Sequence, residues 1–210
     1  MRLIDADAFD QLCNLDRDLD LEQLHLAHKA DFVRAFLLYR FGGLWLDSDC
    51  VVMRDLSDVL GQLEHHEFIA HRERQGGVST AFMASRPGGQ IIGAHYRQNC
   101  TVLRSGQPLE WLSLGSWSLE QALQNQPWLE LNLEWIQPIC WSQPSAFFEV
   151  RDAAGHEAVF NSQAWCYMLS NQMIQGFKLE HPELALLAEN TFFSFLLERS
   201  KATAHDINAA

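Results

Sequence analysis

The sequence predicts an α/β domain, and three observations carry the prediction. Short apolar runs of strand length recur at residues 44–46, 50–53, 67–70, 80–84, 135–139 and 164–169, each the length of a short buried strand. Stretches with helical periodicity lie between them, so strands alternate with helices instead of clustering. The chain has 210 residues, 48% hydrophobic and 20% charged, enough for one sizeable core and unlike a disordered composition.

The elements follow in order. Leu3-Ile4 reads as a short strand, and residues 6–14 as a short helix begun by an Asp5 cap. Asp16, Asp18, Asp20 and Glu22 make a solvated acidic linker. A long helix is predicted from about residue 22 to 41, stopped by Gly42-Gly43. Strands at 44–46, 50–53, 67–70 and 80–84 come next, and Arg86-Pro87-Gly88-Gly89 turns the chain into a helix through His95 and Tyr96. Ser118-Leu119-Glu120-Gln121 has capping-box spacing and predicts another helix start. Pro182 suits the first turn of a final helix reaching about Arg199, and residues 201–210 read as a frayed tail. The expected organisation is one domain over residues 1–200.

Composition removes several function classes. Lys and Arg number 15 against 27 Asp and Glu, a formal charge of −12, so the chain lacks the positive field that attracts nucleic acid. A polybasic membrane patch is excluded on the same ground. No run of about 18 apolar residues is present to span a bilayer, which leaves only peripheral membrane association open. The start, Met1-Arg2-Leu3-Ile4-Asp5-Ala6-Asp7, fits no secretory signal. Cys13, Cys50, Cys100, Cys140 and Cys166 are scattered and odd in number, which points to buried thiols in a cytoplasmic protein. Oligomeric state has no sequence signal.

Two clusters carry chemistry. At roughly 100° per residue, Leu24, Ala27, Leu38 and Phe41 share one side of the long helix, while Lys29 and Arg40 mark its solvent face. Asp31 and Arg34 fall on the apolar side. Buried charges cost several kcal/mol unless they pair or face a polar cleft, roughly the desolvation of each ion. Both readings stand: an internal ion pair that fixes packing, or an acid and a base projecting toward a polyhydroxylated ligand. The second cluster is Asp47-Ser48-Asp49, directly after the hydrophobic run Leu44-Trp45-Leu46. Ligands of open α/β sheets collect at the carboxyl ends of strands. Alternation puts Asp47 and Asp49 on one side, where a divalent cation holds both ionised; oxygen donors favour Mg²⁺ or Mn²⁺. Asp5-Ala6-Asp7, Asp16-Arg17-Asp18 and Asp18-Leu19-Asp20 lack such a strand and read as solvated decoys.

Taken together, Lys29-Ala30-Asp31-Phe32-Val33-Arg34 continuing through Leu38-Tyr39-Arg40-Phe41-Gly42-Gly43-Leu44-Trp45-Leu46-Asp47-Ser48-Asp49 resembles the DXD-containing sugar-binding region of family-32 glycosyltransferases and related capsular polysaccharide synthesis proteins. The resemblance covers about residues 5–85. It implies a GT-A-like (Rossmann-like) nucleotide-diphospho-sugar transferase sandwich with a mixed sheet, using a nucleoside-diphosphate sugar, Mn²⁺ or Mg²⁺, and a glycan acceptor, with retention of configuration. It further implies that Asp31 and Arg34 hold donor-sugar hydroxyls and that Asp47 meets the ribose or a metal-bound water. Asp49 would ligate the metal, with Gly43 and Trp45 on the nucleotide side. The family's opening I-P-K-x-I-H-Q-x-W strand has no counterpart here, so the domain is expected to be shortened at its N-terminus. Ser79 and Thr80 stand where an asparagine is usual. His156, Asn161 and Asn171 are the candidates for a third metal ligand.

The remaining signals are weaker. His65-His66 and His71 match no metal-ligand spacing, and Gly76-Gly77 and Gly88-Gly89 read as turns. Gly115-Ser116 precedes a helix and is either a plain loop or a source of backbone N–H groups. Of Trp111, Trp117, Trp128, Trp135, Trp141 and Trp165, most are expected in the core, with one or two stacking on acceptor sugars. The leading expectation is a metal-dependent glycosyltransferase of polysaccharide or glycoconjugate biosynthesis. The alternative is a catalytically degenerate transferase-like glycan-binding or scaffold protein. A metal-dependent phosphohydrolase built on Asp47 and Asp49 ranks last, because it leaves Asp31, Arg34 and Gly42-Gly43 without a role.

Overall fold

A computed structural model describes residues 19, 21 and 23–200. The expected strand at Leu3-Ile4, the helix over 6–14, most of the acidic linker, Cys13 and the tail lie outside the described residues. The long helix forms as α1 (Leu26–Phe41), its first turn capped by the His25 ring, which accepts from the Ala27 N–H. After it come β1 (Gly43–Leu46), β2 (Cys50–Val52), the short α2 (Ser57–Gly61), β3 (Phe68–His71) and β4 (Phe82–Ser85). Helices α3 (Gln90–Arg104) and α4 (Ser116–Leu123) precede β5 (Leu129–Leu131) and α5 (Leu133–Ile136). The chain continues through α6 (Ala153–Val159), β6 (Cys166–Met168), α7 (Asn171–Glu180) and α8 (Phe192–Ser200).

The architecture is mixed α/β with a mixed sheet, as expected. Its strand order is β1-β4-β3-β5, with β4 antiparallel to both neighbours and β3 parallel to β5. Alternation decides what each face buries. Phe68 and Ala70 of β3 and Met83 of β4 pack against Leu38 of α1, Ile91 and Ile92 of α3 and Leu119 of α4. Ile69, Phe82 and Ala84 point the other way, onto Val59, Leu131, Ile136, Cys166 and Met168. The antiparallel pair β2 and β6 lies on that second side. Its Val51 and Tyr167 turn outward to a C-terminal cluster with Phe147, Phe192 and Leu196.

Three expectations about elements are corrected. Residues 135–139 are not a strand: Asn132 accepts from the Glu134 N–H and starts helix α5, and the strand lies earlier, at β5. Ser118 does not cap α4, which starts at Ser116 after Gly115; Ser118 is buried inside the helix and its hydroxyl meets His95 Nδ1 at 3.1 Å. Pro182 does not open the last helix. Thr191 does, its hydroxyl accepting from the Ser194 N–H at 3.1 Å, while α7 occupies residues the sequence reading had left without an element. In α1 the apolar stripe is broader than expected. Phe32 and Phe36 are buried against Tyr96 of α3, whereas Phe41 is exposed.

Candidate functional site

The parallel relation of β1 and β3 sends both carboxyl ends to the same edge of the sheet, where antiparallel β4 begins. Asp47 leaves β1 there, and its N–H donates to the Ala81 carbonyl at 2.9 Å. His71 ends β3 on the same edge. The second sheet adds the C-terminal half: β2 runs antiparallel to β6, so residues after β6 arrive beside Asp49. The Leu169 N–H donates to the Asp49 carbonyl at 2.8 Å, and the Asn171 N–H donates to Asp49 Oδ2 at 2.6 Å. Ser170, held at φ 54°, turns the chain into α7 at that point.

Behind Asp47 lies the α1 pair. Arg34 and Asp31 are both buried, 6% and 8% exposed. Arg34 Nη2 is 3.3 Å from Asp47 Oδ1, its Nη1 donates to Thr80 Oγ1 at 2.9 Å, and its Nε is 3.6 Å from Asp31 Oδ1. Thr80 in turn donates to Asp31 Oδ1 at 3.4 Å. Trp45 donates its indole N–H to Asp47 Oδ1 at 2.6 Å, and the Arg34 guanidinium lies over the Trp45 ring, 5.3 Å from its centroid. One planar cation therefore ties together helix α1, the end of strand β1 and the segment leading into β4. Gly115 completes the enclosure: a Cβ there would sit 3.1 Å from Asp31 Oδ2, so glycine is what lets the α4 entry close over the carboxylate.

The electrostatics follow from this crowding. Burial pushes Asp31 up to about 6, against the pull of Arg34. Burial likewise raises Asp47; Arg34 and the Trp45 hydrogen bond oppose it, and repulsion from Asp49 adds to it. Arg34 faces two carboxylates, Asp31 and Asp47, with Asp49 close enough to repel Asp47, so the acids outnumber it.

Asp47 and Asp49 line a cavity of about 690 Å³. Its lining includes Asp47, Asp49, Glu73 and Glu120 and, among the described residues, no Lys or Arg. Asn171 lines it too, whereas the other two candidates for a third ligand do not. His156 is packed against Phe192 and Phe195 with Nε2 on the Asn190 carbonyl, and Asn161 donates to the Glu134 carbonyl. Arg34 and Asp31 do not line this cavity; their polar atoms are directed at Thr80, Asp47 and each other. Trp111 and Trp117, two of the tryptophans considered for stacking on sugars, line the cavity as well. Glu73 and Ser170 also line it and carry no distinguishing sequence signal, because each lies in a loop remote along the chain from the DXD pair.

The comparisons with known proteins bear on this same stretch. Residues 7–67 match the family described as glycosyltransferase sugar-binding region containing DXD motif. The match spans less than a third of the chain. This region runs through α1 and the whole Asp31, Arg34, Asp47 and Asp49 network. The solved structure titled "PaToxG Glycosyltransferase" aligns with a TM-score of 0.39 and 14% identity, over 92% of this chain and 54% of that one. This chain thus spans about half the length of that protein. No curated protein sequence matches significantly.

Two further properties hold among the described residues. No helix is long and apolar enough to cross a membrane. No cluster of three or more His, Cys, Asp or Glu side chains is gathered for a metal. Cys50, Cys140 and Cys166 form no disulfide with one another.

Proposed function

We propose that the chain is a metal-dependent glycosyltransferase that moves a sugar from a nucleoside-diphosphate sugar to a glycan acceptor, with retention, in polysaccharide or glycoconjugate biosynthesis. The observation that carries this reading is a cavity at the carboxyl edge of the sheet with four carboxylates and, among the described residues, no Lys or Arg, opening on the DXD pair. A diphosphate has no counter-charge in such a site unless a cation enters with it.

The donor set fits Mg²⁺ or Mn²⁺. Such ions are held by one or two carboxylates with water and substrate phosphates, not by a full protein cage. Asp47 engages Oδ1 with Trp45 and Arg34, and Asp49 engages Oδ2 with the Asn171 N–H, so each presents its other oxygen. When bound, the cation supplies charge neutralisation for the leaving diphosphate. Arg34 keeps Asp47 oriented and ionised, Trp45 fixes its rotamer, and Asp31 balances Arg34 so that the guanidinium stays in place. Asn171 sets the angle of Asp49. The chain's contribution is orientation of the donor at a fixed carboxylate pair.

The engagement of Arg34 by Asp31, Thr80 and Asp47 also favours a second reading, a degenerate glycan-binding protein in which the network is purely structural. One measurement separates the two. The purified chain is titrated with a nucleotide-sugar panel plus Mn²⁺, alongside Asp49→Asn. The transferase reading expects donor hydrolysis that falls by more than about 100-fold in the variant, the upper end for disturbing a metal's supporting shell. Glycan binding that ignores EDTA and Asp49→Asn, with no nucleotide binding, would establish the second reading instead.

A further inference from the structure

The cavity extends beyond the carboxylate pair to residues the donor does not account for. Trp111 and Trp117 line it while 54% and 48% exposed, so their indole faces are not consumed by the core. Trp111 is braced by the rings of His25 and His28, with centroids 5.7 and 6.4 Å away. Trp141 lines the cavity as well, its indole N–H donating to Gln75 at 3.3 Å. His71 is 1% exposed and lines the same space, yet its Nδ1 has no hydrogen-bond partner. A buried polar atom without a partner carries a desolvation cost, which a ligand hydroxyl in the cavity would relieve. Burial pushes this ring down to about 4, so it is neutral at physiological pH.

We propose that Trp111, Trp117, Trp141, His71, Glu73 and Glu120 form the acceptor subsite, and that it takes a saccharide bearing no anionic group. The inference rests on the transferase reading for the word acceptor, but not for the chemistry of the site. Indole faces pack against the C–H faces of a pyranose. The carboxylates of Glu73 and Glu120 accept from hydroxyls. Glu120 is already fixed, since its Oε1 accepts from the Val78 N–H at 3.2 Å. Charge sets the specificity. With four carboxylates and no Lys or Arg in the lining among the described residues, a uronate, sulfate or phosphate on the acceptor meets repulsion. A basic peptide would satisfy the carboxylates. Its cations would also stack on indole faces, but it carries no array of hydroxyls to match Glu73, Glu120 and the neutral His71 nitrogen together, so the saccharide is favoured.

The test uses the full chain and four probes: maltotriose, tri-N-acetylchitotriose, trigalacturonate and a lysine-rich peptide, followed by tryptophan fluorescence and calorimetry. A neutral trisaccharide should bind at least about tenfold more tightly than trigalacturonate, a difference of one decade in Kd. Trp117→Ala and, separately, His71→Phe should each weaken that binding several-fold, with circular dichroism verifying that both variants fold. Trigalacturonate binding as tightly as maltotriose overturns the inference, as does tighter binding of the peptide than of either neutral sugar. Parallel titration with UDP and GDP plus Mn²⁺ separates the two claims. Nucleotide binding without saccharide binding sinks the subsite alone, and saccharide binding without nucleotide binding keeps the subsite and sinks the transferase reading.

Discussion

Arg34 is the residue on which the site depends, because its guanidinium is the principal counter-charge to both Asp31 and Asp47. Its planar fork reaches Thr80 and Asp47 from separate nitrogens at 2.9 and 3.3 Å, a division that a lysine ammonium on a flexible stem does not reproduce. Arg34→Ala should cost about 3–5 kcal/mol, the range for leaving a buried partner uncompensated, and Arg34→Lys a substantial fraction of that; urea unfolding of the two variants checks both. Asp31 gives a prediction with a definite sign. Its carboxyl is raised by burial from 3.8 to about 6, so the folded state holds that proton more tightly than the unfolded chain. The stabilisation is complete below the unfolded value and is lost as pH rises through about 6, on the order of 2–3 kcal/mol. Relative to Asp31→Asn, the wild type should therefore lose stability between about pH 4.5 and pH 6.5. An opposite slope would mean that Arg34 outweighs burial. The sequence had placed Asp31 and Arg34 correctly on the buried side of α1, since periodicity alone reveals which charges share an apolar stripe. It left open whether they meet a ligand or each other, because that depends on Thr80, 46 residues from Arg34 along the chain and invisible to helical spacing.

Elements were legible where a local device fixes them. Gly42 stops α1 and starts β1, and the reason is steric as well as conformational. It has φ 65°, and a Cβ there would lie 2.6 Å from the Pro87 ring and 2.9 Å from the Ser85 carbonyl. Gly42→Ala should thus destabilise by at least about 1–3 kcal/mol, the cost of a non-glycine residue in a sparsely populated region. The backbone clash adds to that figure, and it would shift β1 against β4. Chemical denaturation reads the first effect; loss of Mn²⁺-dependent nucleotide binding reads the second. A variant as stable as the wild type would show that the turn is more yielding than its contacts indicate. Where elements were missed, a cap outcompeted an apolar run. Asn132 turned Trp135 and Ile136 into a helix, and Thr191 claimed a helix start that Pro182 had suggested. Both are polar side chains bonding their own backbone, a short-range choice that tertiary burial then ratified.

At the scale of the whole molecule, the sign of the charge becomes a property of the site. The chain carries −12, and the cavity concentrates the same sign, with Asp47, Asp49, Glu73 and Glu120 in one lining. Composition gave that sign, but not its focus: Glu73 and Glu120 reach the cavity from the loop after β3 and from α4, and only the tertiary fold brings them to the DXD edge. The consequence is measurable without knowing the sugar. In EDTA, a nucleoside diphosphate approaches a negative cavity in a negative protein, so screening should help it. Raising monovalent salt shortens the Debye length from about 30 Å at 0.01 M to about 8 Å at 0.15 M, and the metal-free affinity should rise by several-fold over that range. With Mn²⁺ present the local repulsion is neutralised, and the same salt step should leave affinity unchanged or lower it. Equilibrium titration of UDP or GDP across the salt series, with and without Mn²⁺, gives both slopes. A phosphate site built on lysine or arginine would instead weaken with salt in both conditions, so a falling metal-free curve would place a basic group at the diphosphate and remove the electrostatic argument for the cation.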